Sequence, residues 1–76
     1  MPYSKLDPKL NFLLNENIVV QLQYRQELRG VLRGYDQFMN LVIEDAVLRL
    51  EKKKKFIGKT LVRGSVVQGI ELKRSS

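Results

Sequence analysis

From Ile18 onward the apolar positions of the chain fall into runs with a period of two. Ile18, Val20, Leu22 and Tyr24 alternate with Val19, Gln21, Gln23 and Arg25, the pattern of a strand with one face turned inward. The polar pair Gln26–Glu27 is the expected turn after it. Leu28, Gly30 and Leu32 against Arg29, Val31 and Arg33 predict a second strand, and the β-branched and leucine-rich run from Leu41 to Leu50 a third. Phe56–Val62 and Val66–Leu72 supply a fourth and a fifth. Before Ile18 the period changes. Leu6, Leu10, Leu13 and Leu14 stand at i, i+4, i+7 and i+8, one stripe of a helix. Asp7 followed by Pro8 is a helix-start signal, because the carboxylate accepts from free backbone amides and proline loses no needed donor there. The pattern predicts a short α-helix over 6–15, too short to be stable unless it lies on the sheet.

Gly30, Gly58 and Gly69 fall inside predicted strands, where glycine marks a sharp bend or a close backbone approach. Bent strands suit a small, curved, open barrel of five antiparallel strands. Such a sheet has edges with unpaired amides and carbonyls. The late strands carry apolar, β-prone sequence at Ile57, Leu61 and the run VVQGIEL. Covering those edges with another copy, or with a relative of the same fold, is the economical solution, and the isolated chain is expected to self-associate. At this stage the pattern fits an OB-fold, an SH3-like barrel or a chromatin-type interaction domain equally.

Composition narrows the chemistry more than the fold. The 76 residues suit a single small domain, 1–76. The chain contains no cysteine and no histidine, so disulfides, thiolate metal sites and the usual proton shuttle are all missing. No cofactor or metal is expected, and no small-molecule substrate. No apolar run approaches the roughly 20 residues that span a bilayer, and the expectation is a soluble intracellular protein. No glycine loop of the GxxxxGK type is present, and Glu44 and Asp45, adjacent in a strand, point to opposite faces. An enzyme is therefore not expected.

The net charge of +6 is unevenly distributed. Asp36, Glu44, Asp45 and Glu51 outweigh Arg49 in the middle of the chain, whereas Lys52 to Lys55, Lys59, Arg63, Lys73 and Arg74 face only Glu71 at its end. A basic last third suggests a polyanionic partner, although solubility alone would also explain it. Lys52 to Lys55, read as a basic connection over 51–55, fit either a phosphate-tracking finger or a solvated hairpin tip. Arg25, Arg29 and Arg33, at a spacing of four, are expected on one strand face.

Two segments decide among the folds. GVLRGYDQFMNLVIEDA from Gly30 and IGKTLVRGSVV from Ile57 resemble the two signature segments of the Sm and Sm-like (Lsm) family. Gly30, Leu32, Tyr35, Asp36, Met39, Asn40 and Leu41 match the first, and Arg63 and Gly64 the second. The resemblance covers roughly residues 6 to 72, with the first motif region at 18–50, the second at 56–72 and a short tail at 73–76. The Phe-Met-Asn-Leu-Val-Ile run at Phe38 to Ile43 is similar to the G-type branch of the spliceosomal proteins. Gln37 departs from the proline common there and is also compatible with the matching Lsm branch.

The resemblance implies the Sm fold, a short amino-terminal α-helix followed by a strongly bent five-stranded antiparallel sheet. It also implies a subunit of a heteroheptameric ring whose fourth and fifth strands pair with neighbouring Sm or Lsm proteins, with uridine-rich single-stranded RNA threading the centre. The expected setting is the core of spliceosomal small nuclear ribonucleoproteins, in the nucleus with assembly in the cytoplasm possible. An Lsm ring in small nuclear RNA binding or messenger decay, or a protein-interaction barrel without RNA, is the alternative. Carried over residue by residue, the RNA-binding set is Phe38, Asn40, Arg63 and Gly64. Phe38 would stack on a base, Asn40 would pair with a uracil edge, Arg63 would stack on the opposite face or meet phosphate, and Gly64 would admit a close approach. Each has a plainer reading: Phe38 as core, Asn40 bonded to its own backbone, Arg63 as a solvated turn residue. Asp36 is expected to tie the turn or orient its neighbours, since a carboxylate facing phosphate would be repelled.

Overall fold

The computed structural model describes residues 8–73. A short 3-10 turn, Pro8–Leu13, leads into five strands: β1 (Asn17–Leu22), β2 (Gln26–Tyr35), β3 (Leu41–Leu50), β4 (Lys53–Val62) and, after a second 3-10 turn at Gly64–Val66, β5 (Val67–Leu72). They form one antiparallel sheet in the order β4-β3-β2-β1-β5. The mainly β architecture expected from the period of two is present, and β4 and β5 are its two free edges.

The inward positions follow the alternation except in its first run, where Tyr24 is exposed and Val19, on the other face, is buried. Ile18, Val20, Leu28, Leu32, Leu41, Ile43, Val62, Val67 and Ile70 form one buried cluster with Leu10, Leu13, Met39 and Ala46. The bend comes from breaks in register. β2 and β3 slip past one another between Arg29 and Val31 and again between Leu32 and Gly34, each slip adding twist and curvature. Gly30 makes the first bend possible. A Cβ there would lie 2.4 Å from Ile43 Cγ2 and 2.7 Å from the Glu44 carbonyl oxygen, so only hydrogen fits where the strands close on one another.

Three expectations need correction. The amino-terminal element is 3-10 and not α-helical over the residues described, ending at Leu13 with Asn15 in the left-handed region at φ 64°. Leu10 and Leu13 are buried as the stripe requires, but six residues of apolar spacing three satisfy a 3-10 turn as well as an α-helix. The turn rests on the sheet through Tyr35, whose hydroxyl donates to Asn11 Oδ1 at 2.5 Å, and through the Asn15 amide to Leu32 carbonyl bond at 2.6 Å. Leu6 and Asp7 of the expected helix lie outside the described residues. Second, the β1–β2 turn is not at Gln26–Glu27 but at Tyr24–Arg25, both at φ 60°, closed by the Gln26 amide donating to the Gln23 carbonyl. This is a type I′ geometry built without its customary Asn or Gly. Third, β4 starts at Lys53, so three of the four lysines of the basic connection are strand residues and only Glu51–Lys52 turn the chain.

Of the three arginines expected on one face, Arg29 and Arg33 keep it, alternating with the buried Leu28, Gly30 and Leu32. Arg25 sits in the turn. Arg29 contacts Glu27 at 3.4 Å. Arg33 donates from Nε to Glu44 at 2.5 Å and from Nη1 to Asn15 Oδ1 at 2.7 Å. The Arg33 hydrogen bond, helped by the charges of Arg33 and Lys59, holds the Glu44 carboxyl below its ordinary range.

Candidate nucleic-acid interface

The β2–β3 loop is organised by one carboxylate. Asp36 Oδ1 accepts from the backbone amides of Phe38 at 2.8 Å and Asn40 at 3.0 Å, and Oδ2 accepts from Asn40 Nδ2 at 2.8 Å. The Asp36 and Met39 amides close the turn from the backbone side, onto the Asn40 and Asp36 carbonyls. Aspartate can do this because its short side chain reaches its own chain two and four residues on. Met39 adopts φ 64°, costly for a residue with a side chain. That one left-handed residue drops the Met39 side chain into the core, 1% exposed. Its neighbours are left outside: Phe38 is 64% exposed and Asn40 half-buried.

The second loop comes to the first through the same asparagine. Gly64 donates its backbone N–H to Asn40 Oδ1 at 2.8 Å, a bond between residues far apart in sequence. Gly64 is also pressed against the β2–β3 loop, and a Cβ on it would stand 1.7 Å from the Phe38 carbonyl oxygen. The close approach expected of this glycine is thus to its own chain. Arg63, immediately before it, is exposed, with extended backbone at the head of the 3-10 turn. The structure therefore gathers Phe38, Asn40, Arg63 and Gly64 at one place. The plainer reading of Asn40 is half right, since it does bond within the chain, and Phe38 is not core.

This geometry fixes what Asn40 can offer. Its carboxamide has two N–H donors and two acceptor lone pairs. Asp36 takes one donor and Gly64 one lone pair, leaving one donor and one acceptor. A flipped amide would set Nδ2 against the Gly64 N–H and Oδ1 against the Asp36 carboxylate, two repulsions, so the orientation is fixed by its partners at both ends. A donor and an acceptor side by side in fixed order match the N3–H and carbonyl of uracil. Cytosine presents its donor and acceptor in the other order and must shift sideways to pair. The exposed phenyl ring of Phe38 supplies a flat stacking surface, worth about 1–3 kcal/mol per base. The Arg63 guanidinium supplies a second plane and a positive charge.

Asp36 is held below the ordinary carboxyl value of 3.8, first by the Asn40 side-chain hydrogen bond, then by the Asn40 and Phe38 amides. A depressed carboxyl stabilises the loop above its unfolded value and loses that contribution as pH falls through its folded one. Base binding should accordingly be insensitive to pH near neutrality and fail in acid, below the usual carboxylate range. Asp36→Asn should weaken binding at neutral pH and flatten the acid limb. Titrating RNA affinity of both proteins by fluorescence anisotropy checks this, and an unchanged acid limb in the variant would show that another group governs it.

Comparison with known proteins gives the family. The LSM domain family matches residues 8–72. The small nuclear ribonucleoprotein G of Schizosaccharomyces pombe is 40% identical over 65 residues, 84% of each chain. The SmAP1 heptamer of P. aerophilum superposes with a TM-score of 0.84 at 30% identity, covering 96% of this chain and 99% of the other. The Sm protein of Pyrococcus abyssii, solved in complex with a uridine heptamer, has a TM-score of 0.79 at 32% identity, covering 84% and 92%. On its sequence match and on its fold, this chain belongs to the Sm and Sm-like (LSM) family.

Proposed function

We propose that this chain is a G-type subunit of a seven-membered heteromeric Sm ring that binds uridine-rich single-stranded RNA in the nuclear ribonucleoprotein cores of splicing. The observation that carries the reading is the Asn40 carboxamide, clamped by Asp36 and Gly64 with one donor and one acceptor left over. Phe38 and Arg63 flank it as stacking surfaces, and the RNA-binding set is Phe38, Asn40, Arg63 and, as the residue that seats Asn40, Gly64. Its relatives support the reading: small nuclear ribonucleoprotein G chains, an Sm heptamer, and an Sm protein in complex with a uridine heptamer. The role requires no bond-making chemistry: the site orients and holds a base.

Ring assembly follows from the edges. β4 and β5 lie at opposite ends of the sheet and do not pair with each other. β4 leaves Phe56, Ile57 and Leu61 exposed. Beside it runs an apolar groove lined by Leu22, Leu28, Leu48, Ile57, Leu61 and Val66. A neighbour's β5 would pair with the β4 backbone and fill the groove with its side chains.

Arg63→Ala separates binding from folding. Arg63 is exposed, and among the described residues its side chain has no hydrogen bond or ion pair, so its loss should leave the melting temperature unchanged. Heptauridylate affinity of the assembled complex should fall roughly tenfold, the loss of about 1–2 kcal/mol of stacking and charge. Unchanged affinity would remove Arg63 from the site.

A further inference from the structure

The lysines at the β3–β4 hairpin are not used by the base site, which lies at the other end of the same two strands. β2 and β3 run from the hairpin tips at Tyr24–Arg25 and Glu51–Lys52 to the Asp36–Asn40 loop. Each of β2 and β3 has ten residues between the two ends, about 30 Å of strand at about 3.3 Å per residue before its bend.

Around the tips the cations form one continuous surface. Arg25, Leu50, Glu51, Lys52 and Lys53 line a recess at the two turns. It shares Arg25 and Glu51 with a second recess, lined also by Gln21, Glu27, Arg29 and Arg49. The second shares Arg29 and Arg49 with a third, which reaches Lys54, Lys73 and Asp45 on the outer face of the sheet. Cations outnumber carboxylates along the whole path. Glu27 is already engaged by Arg29, whereas Arg25, Arg49, Lys52, Lys53 and Lys54 have no carboxylate partner among the described residues.

Two details go beyond net charge. Arg49 stands in one cross-strand row between Glu27 on β2 and Lys54 on β4, so an acid faces it on one side only and the like charge of Lys54 repels it on the other. Arg29 Nε is buried without an acceptor, an uncommon state for a charged donor. Its side chain is about one-third exposed (34%), so a small rotation brings that donor to an oxygen in the recess. An oxyanion at this point would resolve both features. Tyr24, 83% exposed and next to Arg25 in the turn, adds a flat ring near this end, which suits a nucleobase and which an acidic peptide would not need.

We propose that this channel, from the Tyr24–Arg25 and Lys52–Lys53 tips to Arg49 and Lys54, is a second RNA-binding surface. It takes the phosphate backbone of RNA flanking the uridine-rich segment, and it rests on the reading of the chain as an RNA-binding ring subunit. The contacts are to phosphate, so the channel adds affinity and salt dependence with little choice of sequence.

The test uses the full chain in its assembled complex and two probes, heptauridylate alone and heptauridylate carrying a stem-loop at its 5′ or 3′ end. With the wild-type complex, one of the stem-loop probes should bind about tenfold more tightly near 0.1 M salt. Its logarithmic salt slope should be steeper by about 2, the release expected for two to three neutralised phosphates. Replacing Lys52, Lys53 and Lys54 together by Gln should remove that gain and leave heptauridylate binding unchanged. Arg49→Gln, a single change in the wall, should remove part of it. A wild-type complex that gains nothing from either stem-loop overturns the proposal, as does a gain that survives in both variants. Competition for the channel by a poly-glutamate peptide with no effect of the variants on RNA would assign the surface to an acidic protein partner and equally overturn it. If the complex holds the stem-loop through these residues but fails to hold heptauridylate, the base-site reading falls and the channel stands.

Discussion

Gly64→Ala should unseat the base site and destabilise the protein together. The added methyl would stand 1.7 Å from the Phe38 carbonyl oxygen, 2.9 Å from the Phe38 carbonyl carbon and 3.1 Å from that of Met39. All three are backbone atoms, and none can rotate aside. One loop must move, and with it goes the Gly64 N–H bond to Asn40. Overpacking of this kind costs about 1–3 kcal/mol, and the lost hydrogen bond about 1 more. For a domain of this size the sum corresponds to a fall in melting temperature of roughly 10–20 °C. RNA affinity should fall further than in Arg63→Ala, because the Asn40 amide loses the partner that sets its orientation. Gly34→Ala is the internal control, since a Cβ at Gly34 meets nothing within 4 Å, and it should behave as wild type. Thermal melts with anisotropy on the three proteins decide the matter; a Gly64→Ala protein that melts and binds like wild type would mean the loops do not meet as described.

The second large effect is expected at the β4 edge. Ile57 and Leu61 face the apolar groove, and Leu61 is 61% exposed in the single chain. Lysine at both positions costs the single chain little, because neither side chain belongs to its buried core. In the ring the same lysines would lie under the neighbouring strand without a partner, and an unpaired buried charge carries a penalty of several kcal/mol. Ile57→Lys with Leu61→Lys should therefore abolish assembly and release a folded monomer, seen as a shift to single-chain mass in light scattering with strand content retained in circular dichroism. A complex of wild-type mass would place the interface elsewhere.

The two effects sit on features of unequal visibility in the sequence. The strand runs and their inward faces are legible because period-two alternation is a direct imprint of the pleat, and Ile18, Val20, Leu28 and Leu32 are buried as it requires. Residue types at the site are legible as well, through the motif that contains Asp36, Asn40, Arg63 and Gly64. The bond that joins the loops is not, because the distance between Asn40 Oδ1 and the Gly64 amide depends on how β3 and β4 bend. Nor is the actual role of Gly64, which an isolated Arg-Gly pair leaves open between admitting a ligand and admitting the chain itself. The misplaced β1–β2 turn has a tertiary cause: Tyr24 and Arg25 adopt left-handed backbone that their side chains disfavour, so pairing of β1 with β2 imposes what local preference would refuse. The early start of β4 is hidden in the same way, since lysines read as loop until Lys53, Lys54 and Lys55 are seen paired to Leu50, Arg49 and Leu48.

The electrostatic and packing features together describe a division of labour along β2 and β3. At one end Asp36 and the Gly64 N–H hold the Asn40 carboxamide in one orientation beside the exposed Phe38. At the other, unpaired cations line a groove. Between them the buried cluster fixes their separation, and the open β4 and β5 edges leave the chain incomplete as a monomer.

The position of a uracil on the assembled complex tests the base site most directly. A structure of the assembled complex with heptauridylate should have one uracil of this subunit stacked on the Phe38 ring, its N3–H and a carbonyl paired with the free acceptor and donor of Asn40, and the Arg63 guanidinium on the far side. Uracils bound away from these three residues, or an Asn40 amide turned so that Nδ2 faces Gly64, would contradict it.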